Sequence, residues 1–293
     1  MLLFKRSFQI VLLTVGLLVT GLFSSAQKFT QPSVQEAWSR NYKPFRIAGN
    51  LYYVGTYDLA CYLITTPQGH ILINTGVAES APMIRSHVEA LGFRFADIKI
   101  LLATHAHYDH VGAMATIKKI TGAQMMINEK DAALLADGGN SDYAFGGKGS
   151  TFKPVKPDRE LHDQDTVKLG DMEIVVLHHP GHTKGSSSFL FTVKDEQHSY
   201  RVLIANMPTI LSETKLSGMP GYPDVAKDYA YTLDALKKLQ FDLWLSSHAS
   251  QFNMNKKHKP GDAYNPDAFI DRKGYDDAVD DLQKAYEKRL NEK

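Results

Sequence analysis

Cysteine is almost absent from this chain of 293 residues, in which Cys61 is the only one. A single cysteine cannot form an intrachain disulfide, and it cannot supply the several thiolates of a cysteine-based zinc cluster. The chain does contain 12 histidines, which leave a histidine-built metal site open. The functional question is therefore where these histidines lie.

An excess of charge of either sign is absent as well. The chain has 33 lysines and arginines against 32 aspartates and glutamates, a formal net charge of +1. Proteins that bind nucleic acid or an anionic membrane usually concentrate basic residues, so we expect neither partner. Hydrophobic residues make up 43% of the chain, which is typical of a globular protein and excludes the disordered, collagen-like and coiled-coil classes.

Long hydrophobic runs are missing except near the N-terminus, where one extends from Phe8 to Phe23. Two basic residues precede it and Ser24-Ser25-Ala26 follows it, the pattern of a secretory signal peptide. A membrane anchor is the alternative, but the run is shorter than the roughly 20 residues that a spanning helix needs. We predict a signal peptide over residues 1–26, a single mature domain over residues 27–293 and export to the periplasm without membrane attachment.

Short apolar runs and amphipathic segments alternate through the mature chain, after an N-terminal arm that we expect over residues 27–48. The predicted strands cover residues 51–54, 60–65, 70–74, 98–103, 124–128, 166–169, 172–177, 187–193, 200–205 and 243–245. The predicted helices cover residues 79–91, 112–120, 130–136, 225–239 and 276–290. No linker separates the two halves, so we predict one α/β domain in which two sheets pack face to face under covering helices.

The strongest chemical signal is the run His105-Ala106-His107-Tyr108-Asp109-His110, which directly follows a predicted buried strand. In extended backbone, residues i and i+2 point to the same side, so His105 and His107 can bind one metal ion. A turn would aim Asp109 and His110 at a second ion. Three histidines and an aspartate within six residues are too many for chance in a chain with 12 histidines.

Two later histidines, His182 and His248, occupy the same kind of position, because each follows a predicted strand at a turn. Either one alone would be more typical of a hydrogen-bonded structural histidine. Together with the first run they complete two sets of three ligands. We predict that one Zn²⁺ is bound by His105, His107 and His182, and a second by Asp109, His110 and His248.

The other histidines do not share this placement. We expect structural roles for His178 and His179. The remaining five are predicted to be solvated, namely His70, His87, His162, His198 and His258.

Three protein ligands per ion leave a coordination position open, and zinc lowers the pKa of a water bound there to about 7. This chemistry predicts a dinuclear zinc hydrolase in which a metal-bound hydroxide is the nucleophile and Asp109 belongs to the catalytic centre. The rival hypothesis from another class is a zinc-binding protein without turnover.

The run from His105 to His110, the segment Pro180-Gly181-His182-Thr183 and the final His248 together resemble the metallo-β-lactamase superfamily. The resemblance implies an αββα four-layer sandwich with the metal site at one edge between the sheets. It does not by itself select a substrate, because lactamases, thioesterases, lactonases and nucleases share this fold.

The end of the predicted strand over residues 200–205 favours one subclass. Other superfamily members carry a metal-bridging aspartate or a metal-binding cysteine there, whereas this chain has Asn206 and Met207. A methionine thioether is a poor zinc ligand beside imidazole and carboxylate. The pattern is similar to subclass B3 β-lactamases and closest to their GOB-type branch, although His105 stands where that branch has glutamine.

The resemblance implies a monomeric periplasmic enzyme with two Zn²⁺ per chain that hydrolyses the β-lactam amide of penicillins, cephalosporins and carbapenems. Thr209 matches a family position near the substrate carboxylate, and Tyr108 could line the cleft. Each also has a structural alternative, a turn after Pro208 for the threonine and packing for the tyrosine. A lactonase or thioesterase of the same fold remains the alternative activity.

Overall fold

The structure is a computed structural model that describes residues 29–292. The predicted signal peptide, residues 1–26, lies outside the described residues. Within residues 29–292, no helix combines the length and the apolar character that crossing a membrane requires.

Two β-sheets form the centre of the molecule. The first contains β1 Phe45–Ala48, β2 Leu51–Tyr53, β3 Tyr62–Thr66, β4 Gly69–Ile73, β5 Ile98–Leu102, β6 Gln124–Asn128 and β7 Arg159–Leu161, side by side in that order. The second contains β8 Thr166–Leu169, β9 Met172–His178, β10 Ser187–Lys194, β11 Ser199–Ala205 and β12 Leu243–Ser246, also in sequence order. Strands β4 to β7 are parallel, as are β11 and β12, and the other neighbouring pairs are antiparallel.

Helices cover the outer faces of both sheets. The α-helices are α1 Glu36–Ser39, α2 Ala81–Ala90, α3 Tyr108–Val111, α4 Met114–Thr121, α5 Glu129–Ala136, α6 Val225–Lys237, α7 Met254–Lys257 and α8 Arg272–Leu290. Short 3₁₀ helices lie at Ala78–Ser80, Phe95–Asp97, Ala249–Phe252 and Pro266–Phe269.

The two-residue alternation of β5 explains how one strand serves two apolar layers. Ile100 and Leu102 belong to the core between the sheets, together with side chains of the second sheet such as Phe189. Leu101 points the other way and packs in the core beneath α2 and α4, which includes Val88. Because both faces of the sheet are buried, the four layers form the predicted αββα sandwich.

The strand and helix predictions agree with the structure apart from the short elements. The segment over residues 27–48, expected to be an arm throughout, contains α1 and also β1, in which Phe45 pairs with Tyr53 of β2. The prediction of solvated histidines is wrong for three of the five. His70, His87 and His258 are buried, at 7%, 5% and 8% exposure. Packing against aromatic rings or hydrogen bonding explains their burial, as in the stacking of His258 on Phe45.

Candidate metal centre

The histidine-rich run leaves the C-terminal end of β5 and is held there by residues that follow β4. Asn74 has a left-handed backbone, with φ of 61°, and its Oδ1 accepts hydrogen bonds from the backbone N–H and the hydroxyl of Thr104. The next residue, Thr75, donates its backbone N–H to the carbonyl of His110 over 2.8 Å. Both ends of the run are thus fixed by one buried dipeptide.

The turn within the run is the short helix α3, which begins directly after His107. Gly112 follows it where the backbone passes close to the 3₁₀ helix before α2. A Cβ atom on Gly112 would lie 2.5 Å from the carbonyl oxygen of Tyr108 and 2.6 Å from the backbone nitrogen of Ala78. Only glycine fits there. With this close approach after α3, the chain turns Asp109 and His110 back toward the end of β5.

His105, His107 and His182 form the first group of side chains that could hold a metal ion. Their ligand atoms lie within 4.8 Å of one another, and all three residues are buried. Nδ1 of His107 is 3.1 Å from Nε2 of His182. The buried Nε2 of His105 has no hydrogen-bond partner within residues 29–292, and an unpaired imidazole nitrogen at this position fits a metal ligand.

The second group lies directly beside the first. His105, Asp109 and His110 have ligand atoms within 4.8 Å of one another, so His105 borders both groups. Nε2 of His248 approaches the same carboxylate from the other side, 3.4 Å from Oδ2 of Asp109. The structure therefore brings all six predicted metal ligands together at one edge of the sandwich.

The ring nitrogens that face away from the centre have acceptors of their own. Nε2 of His107 is 3.0 Å from a carboxylate oxygen of Asp142, and Nδ1 of His248 is 3.1 Å from one of Asp58. Nδ1 of His182 is 2.7 Å from the backbone carbonyl oxygen of Thr209. Such outer partners fix the tautomer and the ring orientation of metal-binding histidines.

Burial and neighbouring charges shift the pKa values of the predicted ligands in different directions. Burial, reinforced by His110 and the other neighbouring histidines, lowers the pKa of His105 well below its usual value. Burial beside His107 lowers the pKa of His182 to about 3. Burial alone would raise the pKa of Asp109, but His110 and His248 hold it well below its ordinary value. Burial alone would also lower the pKa of His107 and of His248, but Asp142 raises the pKa of His107, and Asp109 and Asp58 raise that of His248 to about 9. Imidazole and carboxylate are ligand types that zinc prefers, and metal binding at the two histidines with raised pKa would release a proton from each.

Asp131, in α5, connects the two loops that carry the first group. Its carboxylate accepts the backbone N–H of Ala106, the hydroxyl of Thr183 and the backbone N–H of Gly185. Gly185 is required at this position, since a Cβ atom there would lie 2.5 Å from the backbone nitrogen of Asp131. No local pattern predicts this role for Asp131, because an aspartate near the start of a helix is common.

The two predicted substrate contacts lie at the rim of the centre. Thr209 is exposed, and its hydroxyl oxygen is 3.3 Å from Nδ1 of His182. Tyr108 is half-buried, and its ring centroid is 6.0 Å from that of Trp38. Trp38 was not identified from the sequence. It donates its indole N–H to Asp58 and lies 5.8 Å from the ring of His248, so the N-terminal arm forms one wall of the site.

The Gly-rich loop over residues 138–157 forms the opposite wall. The ring of Phe145 is 5.5 Å from that of His107. The hydroxyl of Tyr143 lies 3.1 Å from that of Thr214 and 3.2 Å from the backbone carbonyl oxygen of His182. These two side chains pack the loop against the metal centre, while Gly147, Lys148 and Gly149 of the same loop are exposed.

The chain is similar to known proteins over most of its length. The model of the metallo-beta-lactamase superfamily matches residues 56–195. The class B3 di-zinc metallo-beta-lactamase LRA-12 from an Alaskan soil metagenome is 66% identical, with a TM-score of 0.88 over 89% of this chain and 100% of that one. The metallo-beta-lactamase GOB-18 from Elizabethkingia meningoseptica is 53% identical, with a TM-score of 0.89 over 91% of this chain and 99% of that one.

Curated relatives match over a shorter range. A hydroxyacylglutathione hydrolase from a Bradyrhizobium strain is 30% identical over 44% of this chain and 42% of its own length. The chain spans less than half the length of such relatives, so they indicate shared architecture more than shared substrate. Near-complete coverage of a solved structure at 66% identity is far more specific. The chain belongs to the metallo-β-lactamase superfamily and, within it, to the class B3 metallo-β-lactamases.

Proposed function

We propose that this protein is a zinc-dependent β-lactamase that hydrolyses the four-membered amide ring of penicillins, cephalosporins and carbapenems. The observation that carries the proposal is the convergence of two three-residue donor groups at one edge of the sandwich. The similarity to a structure described as a di-zinc class B3 enzyme supports two zinc ions per chain.

The donor atoms, imidazole nitrogens and a carboxylate, are of the types that zinc prefers. The first ion would be bound by His105, His107 and His182, and the second by Asp109, His110 and His248. When bound in such a set, zinc supplies a nucleophile at neutral pH and a Lewis acid for the lactam carbonyl. The chain contributes the positions of these ligands, because carboxylates and one backbone carbonyl hold three of the outer ring nitrogens.

The walls of the site suit a small amphipathic substrate. Trp38 and Phe145 supply aromatic surface on opposite sides of the metal centre, next to His248 and His107. The hydroxyl of Thr209 is exposed at the rim and can donate a hydrogen bond to the carboxylate that these antibiotics carry. Export through the predicted signal peptide would place the enzyme in the periplasm, on the route of the drugs to their targets.

The direct test is hydrolysis of one penicillin, one cephalosporin and one carbapenem by the purified protein. We expect ring opening that a chelator abolishes and added Zn²⁺ restores. Full zinc loading without ring opening of any of the three compounds would contradict the proposal.

Hydrolysis of a lactone or a thioester is the alternative, and the similarity to a hydroxyacylglutathione hydrolase is the observation in its favour. Against it, Asn206 and Met207 stand at the end of β11, so no carboxylate from this strand end can bridge two metal ions. Parallel assays with lactoylglutathione and an acyl-homoserine lactone separate the two activities. We expect turnover of the β-lactams to exceed turnover of both other substrates.

A further inference from the structure

Asp142 lies in the Gly-rich loop, and its carboxylate makes two kinds of contact. Its Oδ1 accepts the backbone N–H groups of Ala144 and Phe145, each over 2.7 Å. Its Oδ2 lies 3.0 Å from Nε2 of His107. The residue is 8% exposed, so little water competes for either oxygen. One buried side chain thus joins the turn of the loop to a metal-binding histidine.

We propose that Asp142 is a positioning residue that couples the order of the loop to the loading of the zinc site, through the tautomer of His107. The inference rests on the zinc site of the proposed function, and it goes further because it assigns a role to a residue outside the six ligands.

The chemical reason is that a neutral imidazole carries one proton, on one of its two nitrogens. A carboxylate can only accept, so Asp142 keeps a proton on Nε2 of His107. The nitrogen left for a metal ion is Nδ1, which points toward Nε2 of His182, 3.1 Å away, in the first metal-binding group. Zinc binds imidazole through a lone pair, so this tautomer is the one that is ready for the metal.

By thermodynamic linkage, zinc binding should in turn affect the order of the loop through the same contact. If His107 held a metal ion, its ring and the Nε2–H would be fixed, and Asp142, whose carboxylate organises the turn at Ala144 and Phe145, would be fixed with them. Coupling between two sites is reciprocal in free energy, so zinc should stabilise the loop as much as the ordered loop favours zinc. Because Phe145 also contacts the ring of His107, the ordered loop keeps its aromatic wall beside the metal.

The decisive variant is Asp142→Asn. Its amide oxygen can replace Oδ1 and retain the two backbone hydrogen bonds, which leaves the NH₂ group facing Nε2 of His107. That donor requires Nε2 to accept, which moves the ring proton to Nδ1, where it blocks the metal. We expect zinc affinity to fall about 10- to 100-fold, the range found when outer partners of metal ligands are lost.

Asp137 provides the matched control because it belongs to the same loop region without touching a histidine. Its two carboxylate oxygens accept the backbone N–H groups of Gly139 and Ser141. Asp137→Asn removes one of these acceptors and therefore perturbs the loop at least as much as Asp142→Asn does. We expect its zinc affinity to stay within about twofold of that of the unaltered protein.

Zinc affinity is measured by competition with a chromophoric chelator, and loop order by hydrogen exchange of the amides of Ala144 and Phe145 with and without zinc. In the unaltered protein we expect zinc to slow this exchange, and in Asp142→Asn we expect the effect to disappear. Unchanged exchange on zinc binding in the unaltered protein would overturn the coupling, whether or not the variant folds. Equal zinc affinity in Asp142→Asn and Asp137→Asn would overturn the tautomer argument. Neither readout uses a β-lactam, so failure of the proposed function would leave this test intact.

Discussion

His105 has a special position among the metal-binding side chains, because its ligand nitrogen lies close to both donor groups. Its Nε2 has no hydrogen-bond partner within the part of the chain that the structure describes, and its Nδ1 lies 3.4 Å from the hydroxyl oxygen of Thr104. In the predicted division of ligands, His105 binds the first ion while Asp109, His110 and His248 hold the second, so removing this imidazole should weaken the first site more.

The variant His105→Gln tests the division of the six residues between two ions. A glutamine amide is a weaker zinc ligand than imidazole, so the first site should lose affinity. The second site retains Asp109, His110 and His248. Zinc titration monitored by metal analysis should show one weakened and one nearly unchanged binding event per chain. Equal loss from both sites would mean that the ligands are divided differently between the ions.

His179 shows how a buried histidine affects stability without touching the metal. It is 3% exposed, its Nδ1 lies 2.7 Å from the hydroxyl of Ser188, and burial lowers its pKa from 6.5 to about 4. The unfolded chain therefore takes up a proton at a higher pH than the folded protein does. Stability from this residue is fully present above about pH 6.5 and is lost as the pH falls toward about 4.

We expect His179→Gln to reduce this pH dependence. Between pH 7 and pH 4.5 the unaltered protein should lose about 2 to 3 kcal/mol more of its free energy of unfolding than the variant does. Urea unfolding of the zinc-free proteins at both pH values measures the difference, since the absence of metal removes proton competition at the six ligands. Parallel losses in the two proteins would show that His179 is not held neutral.

At the scale of secondary-structure elements, the two sheets are joined beside the metal centre by a buried hydrogen bond. The hydroxyl of Tyr62 in β3 donates to the backbone carbonyl of Ser246 in β12 over 2.6 Å. Tyr62 is fully buried, and Ser246 ends the strand that leads to His248. The bond therefore fixes the end of β12 against the first sheet.

The variant Tyr62→Phe keeps the ring and removes only the donor. Leaving a buried carbonyl without its partner should lower the free energy of unfolding by about 1 to 3 kcal/mol. Tyr52→Phe, in β2, is the control, because the hydroxyl of Tyr52 has no hydrogen-bond partner among residues 29–292. Denaturant unfolding compares the two variants, and an equal effect of both would argue against the inter-sheet bond.

The elements that the sequence predicted well are those with a strong internal period. Alternating or continuous apolar residues predict the strands β5, β9, β10 and β11, and the spacing of Ile84 and Val88 predicts α2. The strands β1 and β7 were not predicted, because four and three residues are too few to show a period. Their pairing comes from neighbouring strands, which a local pattern does not contain.

At the scale of the whole molecule, the ligands could be found from the sequence and their partners could not. Four of the six predicted ligands lie in one short run, and the other two follow strands at turns, so both signals are local. Asp58 is 190 residues from His248, and Asp142 is 35 residues from His107. The sequence around a single carboxylate in a loop does not predict which histidine it contacts, because the two residues come together only in the folded chain.

The same limit applies to the walls of the site. Trp38 lies in a segment with little periodicity, and the contact of Phe145 with His107 depends on how the Gly-rich loop packs. A connection of this length often has a function, but only the folded chain shows that Phe145 reaches the ring of His107.

Two zinc ions bound at these six residues should hydrolyse β-lactams, and a single titration can follow metal loading and turnover together. Metal-free protein receives measured amounts of Zn²⁺ while bound zinc and the opening of a carbapenem ring are followed in the same sample. We expect turnover to appear with zinc, to reach a plateau at two bound ions per chain and to be lost in His105→Gln at low zinc. Two ions bound with no ring opening of the carbapenem, or of a penicillin or a cephalosporin in its place, would show that this metal centre is not that of a β-lactamase.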